Sequence, residues 1–225
     1  MQLTIKTSWD AVTICDYMNY KNALDNPNTT DFEKKLDVLA ILCHITREEL
    51  MDLPASQIVP LFNKMEFLTK PPTAEVEPYY EIAGKKFKLI MDVTQLTAGQ
   101  FIDLSHYTKD PAFIIDNLHA ICAILLLPVK PYRGKKDIIP TEKYGETPIG
   151  EIAEFLYENM PIKEALGISN FFTCLYNLFM QITKRYLEQE RTKLLNKASK
   201  MLSKNTMNQL SPETGSRKSG NGLRQ

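Results

Sequence analysis

Four segments of this chain carry the same helix-start signal, and their positions constrain the fold more than any other feature. In each segment a threonine stands three residues before an acidic residue or a glutamine, as in Thr13 with Asp16 and Thr97 with Gln100. The other two pairs are Thr30 with Glu33 and Thr46 with Glu49. In such a capping box the two side chains satisfy each other's backbone N–H groups. The spacing therefore predicts three helices, which begin at Thr13, Thr30 and Thr97, and a single short helical turn that begins at Thr46.

The stretch LTAGQFIDL, residues 96–104, repeats the plan of an earlier stretch, which indicates an internal duplication. Leu96 and Phe101 stand at hydrophobic-staple spacing around the cap. Val12 and Tyr17 have the same relative places 84 residues earlier. An apolar set then follows each helix at an offset of 82 residues, first Leu36, Leu39, Ala40 and Cys43, and later Leu118, Ile121, Cys122 and Leu125. Because the two offsets nearly agree, we interpret them as a genuine repeat.

The predicted fold is mainly α, with two related helical units, a β-hairpin between them and a long C-terminal helix. We place the first unit at residues 1–69, the linker with its hairpin at 70–91, and the second unit at 92–203. The second unit includes an inserted loop at 128–148, long enough that a function is expected of it. The tail, 204–225, is polar and rich in Gly and Ser, and is predicted to be disordered.

Alternation of apolar and polar residues predicts the hairpin. Tyr80 and Ile82 alternate with polar neighbours before Ala83-Gly84, and Phe87 and Leu89 do so after it. This pattern is typical of a two-stranded ribbon with one apolar face. A lone hairpin is marginal in water, so this one should lie on the helices or on a neighbouring molecule.

Helix signals also occur where no capping box is present. Pro54 is predicted to begin a helix at a position where its missing N–H costs little. Asp110 and Pro111 form an N-cap and first-residue pair that should start a helix reaching Leu127. From Ser169 the pattern predicts one long helix, whose later part projects from the body.

Composition limits the function classes. The formal net charge is zero, which argues against a domain that coats nucleic acid as a whole but leaves room for a local basic patch. The start lacks the layout of a signal peptide, and no run of about 18 apolar residues is available to span a membrane. The four cysteines are widely spaced, so we interpret them as buried free thiols in a reducing compartment: Cys15, Cys43, Cys122 and Cys174. We expect a protein of the cytoplasm or of a virion assembled there.

Candidate chemical groups are few. His119 and Cys122 are one helical turn apart, but two ligands do not make a zinc site, which usually needs four. Gly84-Lys85-Lys86 lacks the frame of a phosphate-binding loop. Asp103 and His106 are one helical turn apart, which is a spacing that allows an acid/base pair. The simpler interpretations are an exposed ion pair or a histidine at a helix C-terminus. We therefore predict no catalytic residues, no metal and no cofactor.

Two basic segments are the candidate partner-binding sites. The inserted loop carries an aromatic residue among cations, namely Lys130, Tyr132, Arg133, Lys135 and Lys136. The last helix carries Lys184, Arg185, Arg191, Lys193, Lys197 and Lys200. DNA phosphates or a protein groove would each explain these charges, and an ordinary solvated face is the simplest alternative. Because leucines persist among the lysines, at Leu187, Leu194, Leu195 and Leu202, we favour docking of the helix in a protein groove.

Several runs of the sequence resemble a family of phage proteins. WDAVTICDYMNY and KLDVLAILCHITREELMDLPASQIVPLFNKMEFL resemble helical proteins encoded among the morphogenesis genes of tailed bacteriophages, particularly crAss-like phages and other phages of gut Bacteroidota. The chain is also similar to small tail assembly chaperones, in the pieces Glu48–Leu50, Leu53-Pro54 and Phe67-Leu68. DVTQLTAGQFIDL and NLHAICAILLLP extend the resemblance to the second half.

The resemblance implies a non-enzymatic protein of virion assembly. It would be either a virion component of the portal and tail region, structural or packaged, or a chaperone that acts through protein–protein contacts. Its partners would be portal, ring or tail subunits, with DNA as a further candidate through the basic segments, and self-association is left open. The alternative is a nucleic-acid-binding accessory protein that uses the basic loop and the last helix.

Overall fold

The structure has helices at each of the four predicted starts. A computed structural model describes residues 3–108, 110–131 and 139–209 of the chain. In all four capping boxes the threonine side chain accepts from the third helical N–H, and that residue's side chain accepts from the threonine N–H. The elements, in chain order, are α1 (Ile14–Asp25), α2 (Asp31–Cys43), α3 (Arg47–Met51), α4 (Ala55–Asn63), β1 (Tyr79–Ile82), β2 (Lys85–Leu89), α5 (Ala98–Tyr107), α6 (Pro111–Asp116), α7 (Leu118–Leu125), β3 (Leu126–Pro128), α8 (Ile149–Asn159) and α9 (Ile162–Gln209). The mainly α fold is confirmed.

The hairpin forms as predicted and lies on the helices. β1 and β2 pair antiparallel with Tyr80 opposite Phe87, and these two side chains are buried together with Ile82 and Leu89. The turn has positive φ at both central residues, 45° at Ala83 and 79° at Gly84, as a type I′ turn requires. On the helical side, the Phe87 ring lies 6.0 Å from the Phe155 ring of α8.

The predicted helix from Pro111 to Leu127 is wrong at its centre and its end. It is divided into α6 and α7 at Asn117, and residues Leu126–Pro128 form β3, which pairs antiparallel with β2. The run from Leu118 to Leu127 is almost continuously apolar, and such a run has no period that separates a buried helix from a buried strand. Pairing with the free edge of β2 decides the outcome, since Leu89 lies opposite Leu126.

Two further helix boundaries differ from the predictions. Pro54 is the N-cap of α4 rather than its first residue, and the apolar face beyond Asn63 continues as a 3-10 helix over Lys64–Thr69. α9 begins at Ile162 rather than Ser169. Its first turn is joined to the start of α1, because the Ile162 N–H donates to the Val12 carbonyl at 2.8 Å.

The apolar sets of the proposed repeat share one core. Among the described residues, all eight side chains of the two sets are buried in one hydrophobic cluster: Leu36, Leu39, Ala40, Cys43, Leu118, Ile121, Cys122 and Leu125. Met1–Asn177 form one compact unit that contains this core. The second unit, Leu178–Gln225, is described as far as Gln209 and consists there of the rest of α9. The origin of the fold by duplication stays a prediction.

The cysteine prediction is correct for two thiols and wrong for one. Cys43 and Cys122 are buried, Cys15 is partly buried, and Cys174 is exposed on α9, although all four are free thiols. Cys174 lies on the side of α9 away from the buried Phe172, so its apolar neighbours in sequence do not cover it. Burial, with the Glu164 carboxylate nearby, raises the pKa of the Cys122 thiol. Among the described helices none is long and apolar enough to cross a bilayer.

Candidate functional site

The basic loop is described at its two ends. Lys130 is described, whereas Tyr132, Arg133, Lys135 and Lys136 lie outside the described residues. The Lys130 N–H donates to the Pro140 carbonyl at 2.9 Å, and the Glu142 N–H donates to the Pro128 carbonyl at 2.8 Å. The Lys130 ammonium pairs with Glu146 at 2.6 Å. The two ends of the loop are therefore hydrogen-bonded to each other, and its first lysine is already in an ion pair.

Lys130 lines the same cavity as the hairpin turn. This cavity has a volume of about 780 Å³, and Lys85 and Lys86 also contribute to its wall. The Lys85 ammonium lies 4.0 Å from the centre of the Phe155 ring, which is cation–π distance. Glu142 and Glu151 line the cavity as well. The charges of the described lining residues therefore nearly balance, and this cavity by itself does not provide a strong anion site.

The second predicted basic segment lies on α9 within the second unit. Its six cations, Lys184, Arg185, Arg191, Lys193, Lys197 and Lys200, are all exposed. Lys193 pairs with Glu190 at 2.8 Å, one helical turn away. Exposed ion pairs of this kind contribute little to stability, so the Lys193–Glu190 pair does little to hold the helix.

Apolar side chains form a line along the same part of α9, which we call the apolar stripe. It consists of Met180, Leu187, Leu194 and Met201, one every seven residues, with 44% to 66% of each side chain exposed. Residues at this spacing lie on one face of a helix. Successive residues turn by about 100°, so Arg185 lies nearly opposite the stripe, while Lys193 and Lys200, each one residue before a member of the stripe, lie to one side of it. The Leu202 side chain lies outside the described residues.

Asp103 and His106 line a common groove of about 820 Å³ between α1, α5, α7 and α8. We call it the acidic groove, because Asp103, Asp116 and Glu154 line it. Within the described part of the chain, Asp103 accepts a hydrogen bond from the Tyr144 hydroxyl and not from His106. Burial and this contact raise the pKa of Tyr144. The predicted acid/base pair thus shares a groove, but its two members are not hydrogen-bonded to each other.

His119 lies in the wall of the acidic groove. Its Nδ1 atom is buried and has no hydrogen-bond partner among the described residues. Its ring meets the Tyr157 ring edge-on, with 5.3 Å between ring centres. Burial lowers the pKa of His119, which favours a neutral imidazole at pH 7. The Cys122 thiol points elsewhere, toward the Ala165 carbonyl at 3.9 Å, and no three potential ligands are grouped for a metal ion in the described residues.

Sequence reasoning missed the other walls of this groove. Asp116 and Glu154 are 38 residues apart in the chain and belong to different helices, so no local spacing joins them to Asp103. It also missed a second groove, of about 640 Å³, between α1, α2 and α4, where Phe32 is 63% exposed and lies near Phe62. The only signal for it is a large aromatic residue in the first turn of a capped helix.

Comparison with known proteins does not assign the chain to a family. It matches no protein-family model, and no curated protein or solved structure is significantly similar to it. A functional proposal must therefore be supported by the exposed surfaces and grooves described above.

Proposed function

We propose that this chain is a non-enzymatic phage morphogenesis protein that acts by protein–protein contacts, with the apolar stripe of α9 as its docking element. The observation that carries the proposal is the exposure of Met180, Leu187, Leu194 and Met201 along one face of the helix. Large apolar side chains that align on an exposed surface are typical of interaction sites. A helix with such a face binds by laying it into an apolar groove of the partner.

Charge favours an acidic partner over a second copy of the chain. Between residues 184 and 200 the helix has six Lys or Arg and two Glu. Two such helices side by side would repel each other. In a parallel pair with the stripe at the core, Glu190 and Lys197 would each face their own copies, which costs stability. A groove with apolar walls and an acidic rim complements both the stripe and the two lysines beside it, Lys193 and Lys200.

The phage setting comes from the sequence resemblance. It offers two versions of the function, a virion component near the portal and tail or a chaperone of tail subunits. Both versions need a surface that binds another protein, and the apolar stripe is such a surface. The genes that flank the gene for this chain test the phage proposal. Neighbouring portal, ring or tail genes would support a role in morphogenesis, and their absence would argue against it.

Binding to purified portal, ring and tail subunits of the same phage tests the docking element. We expect the native chain to retain at least one subunit, and the double variant Leu187→Asp/Leu194→Asp to lose it. The matched control is Gln189→Asp/Asn196→Asp, which adds the same charge on the exposed opposite side of the helix. Equal loss with both variants, or no retention of any subunit by the native chain, would overturn the proposal.

Mass spectrometry separates the two versions. Abundant peptides of this chain in purified virions would support a virion component. Peptides found only in infected cells, together with tail subunits, would support a chaperone. Absence from both samples would defeat the morphogenesis proposal.

Nucleic-acid binding is the second candidate, and the exposed cations on one side of α9 favour it. Arg185, Lys193 and Lys200 lie within about 80° of one another around the helix axis, on one side of α9. Binding through phosphates weakens steeply with salt, roughly in proportion to the number of contacts. Retention on DNA should therefore fall as salt rises, and Arg185→Gln/Lys193→Gln should reduce the salt dependence. Retention that is absent, or insensitive to salt, would remove this candidate.

A further inference from the structure

The two edges of the small sheet differ, because one is covered by the chain and the other is open. The strand order is β1-β2-β3, so β1 and β3 are the edges. Beside β3, Thr141 forms a bridge with Val129, and the Glu142 N–H donates to the Pro128 carbonyl. Among the described residues, no strand or bridge pairs with the outer side of β1. We propose that this open edge pairs antiparallel with β1 of a second copy of the chain, independently of the docking function of α9.

The backbone of β1 directs the polar groups of two residues outward. The Leu89 N–H donates to the Pro78 carbonyl at 3.0 Å, so these two residues form a hydrogen-bonded pair just before β1. Hydrogen-bonded and non-hydrogen-bonded pairs alternate along antiparallel strands, and Tyr79 and Glu81 therefore belong to the non-hydrogen-bonded pairs. Their N–H and C=O groups point away from β2, and no other backbone group of the described residues bonds to them. Groups at this spacing match another extended chain.

The features that usually protect an edge strand are missing from β1. Natural edge strands are protected by bulges, prolines or unpaired charges. The pairing of β1 with β2 runs without a bulge from Tyr79 to Ile82, and Pro78 lies before the strand, so both outward N–H groups remain. The Glu81 carboxylate lies 3.6 Å from the Lys86 ammonium, which offsets its charge. Tyr79 is 44% exposed. The edge is therefore accessible and carries little net charge.

The outward groups of β1 are complementary to those of a second β1. A two-fold axis at Tyr80 would place Tyr79 of each copy opposite Glu81 of the other. Both of these pairs would then be hydrogen-bonded pairs, and together they would use every outward N–H and C=O group of Tyr79 and Glu81. The two Glu81 carboxylates would face tyrosines rather than each other, and the two Tyr80 rings would form a cross-strand aromatic pair. The chain has a formal net charge of zero, so two copies do not repel each other as wholes.

Sedimentation velocity of the full chain tests the pairing. A strand of four residues forms a small interface, so we expect a weak dimer that is measurable at concentrations up to about 300 μM. Tyr79→Pro should abolish it, because proline removes an outward N–H, and edge strands tolerate proline where the N–H faces solvent. The far-ultraviolet circular dichroism spectrum should not change. The matched control is Tyr79→Thr, which keeps the N–H and the strand propensity and should weaken the dimer less than about threefold.

Charged side chains at position 79 test the register. Tyr79→Lys would place an ammonium group opposite Glu81 of the other copy, twice by symmetry, and should tighten the dimer about fivefold at low salt. Tyr79→Glu should weaken it by a similar factor. Within one chain, position 79 lies opposite Lys88, so the effects of these two variants on the stability of the hairpin have the opposite sign and cannot imitate the result.

Three results would each overturn the proposal. The first is a native chain that stays monomeric at every concentration, which would leave the edge to an extended segment of another protein. The second is a dimer that Tyr79→Pro leaves intact, as expected if the copies associate through α9. The third is an equal effect of Tyr79→Lys and Tyr79→Glu, which would exclude the pairing of position 79 with Glu81.

Discussion

α2 and the part of α9 that begins at Leu178 both contain leucines, which are buried in α2 and exposed in that part of α9. Leu36, Leu39 and Leu42 of α2 are at most 4% exposed, whereas Leu187 and Leu194 of α9 are 60% and 66% exposed. The first three leucines are committed to the core, and the other two remain available to a partner. The comparison teaches that folding and partner binding rest on separate sets of apolar residues, and substitutions should affect one without the other.

The largest expected difference comes from leucine truncation in the two regions. Leu39→Ala removes a fully buried side chain and should lower the free energy of unfolding by about 2–5 kcal/mol. Leu194→Ala should change it by less than about 0.5 kcal/mol. Urea unfolding can be followed by the fluorescence of Trp9, the only tryptophan. This signal reports on the compact unit Met1–Asn177, where the Trp9 ring lies 5.2 Å from the Phe67 ring. Similar costs for both variants would show that the stripe also stabilises the fold.

The second prediction compares an ion pair in each region. Asp16 is buried, and it accepts from the Lys6 ammonium and from the N–H and hydroxyl of Thr13. Asp16→Asn weakens these contacts and should cost about 2 kcal/mol at pH 7. Glu190→Gln breaks only the exposed pair with Lys193 and should have no measurable effect on the same unfolding transition.

The pH dependence of the Asp16 effect follows from the direction of its shift. Burial opposes ionisation of Asp16, but the Lys6 and Thr13 hydrogen bonds outweigh it and hold the pKa below its usual value. A carboxyl whose pKa is lower in the folded state stabilises the fold above its unfolded pKa of about 3.9 and loses that contribution as pH falls further. The difference between the native chain and Asp16→Asn should therefore shrink below pH 4. A constant difference from pH 7 to pH 3 would contradict the role of the charge.

The third prediction compares two threonines that bond to the backbone of a helix. Thr97 caps α5, and Thr97→Ala removes that cap, at an expected cost of about 1 kcal/mol. Thr192 lies within α9, where its hydroxyl donates to the Glu188 carbonyl. Alanine is the better helix former at such a position, so Thr192→Ala should leave the Trp9 transition unchanged and slightly raise helicity by circular dichroism. A loss of helicity would mean that the hydroxyl contact stabilises α9.

The features that could be predicted from the sequence are those that depend on neighbours in the chain. The Thr97 and Gln100 contact spans one helical turn, so the spacing alone identifies it. The same holds for the alternation around Ala83-Gly84 that predicts the hairpin, and for Asp103 and His106, which share a groove because they share a helix face. In each case the information lies within a few residues.

The features that could not be predicted depend on packing between distant segments. β3 forms because β2 offers an edge, and nothing in the run from Leu118 to Leu127 indicates where helix gives way to strand. Glu154 reaches the rim of the acidic groove only because α8 packs on α7. Cys174 is exposed because of its angular position on α9, which its apolar neighbours in sequence do not reveal.

The smallest expected effect concerns backbone conformation at the hairpin turn. Ala83 has a φ of 45°, a conformation that costs alanine more than asparagine, and Asn-Gly is the preferred pair for a type I′ turn. Ala83→Asn should therefore stabilise the compact unit Met1–Asn177 by about 0.5 kcal/mol in the Trp9-monitored urea transition. The matched control is Ala198→Asn in α9, where the backbone is helical and asparagine is the poorer residue, so that transition should not change while helicity falls slightly. A destabilising Ala83→Asn would mean that packing around the turn, rather than its backbone conformation, selects alanine.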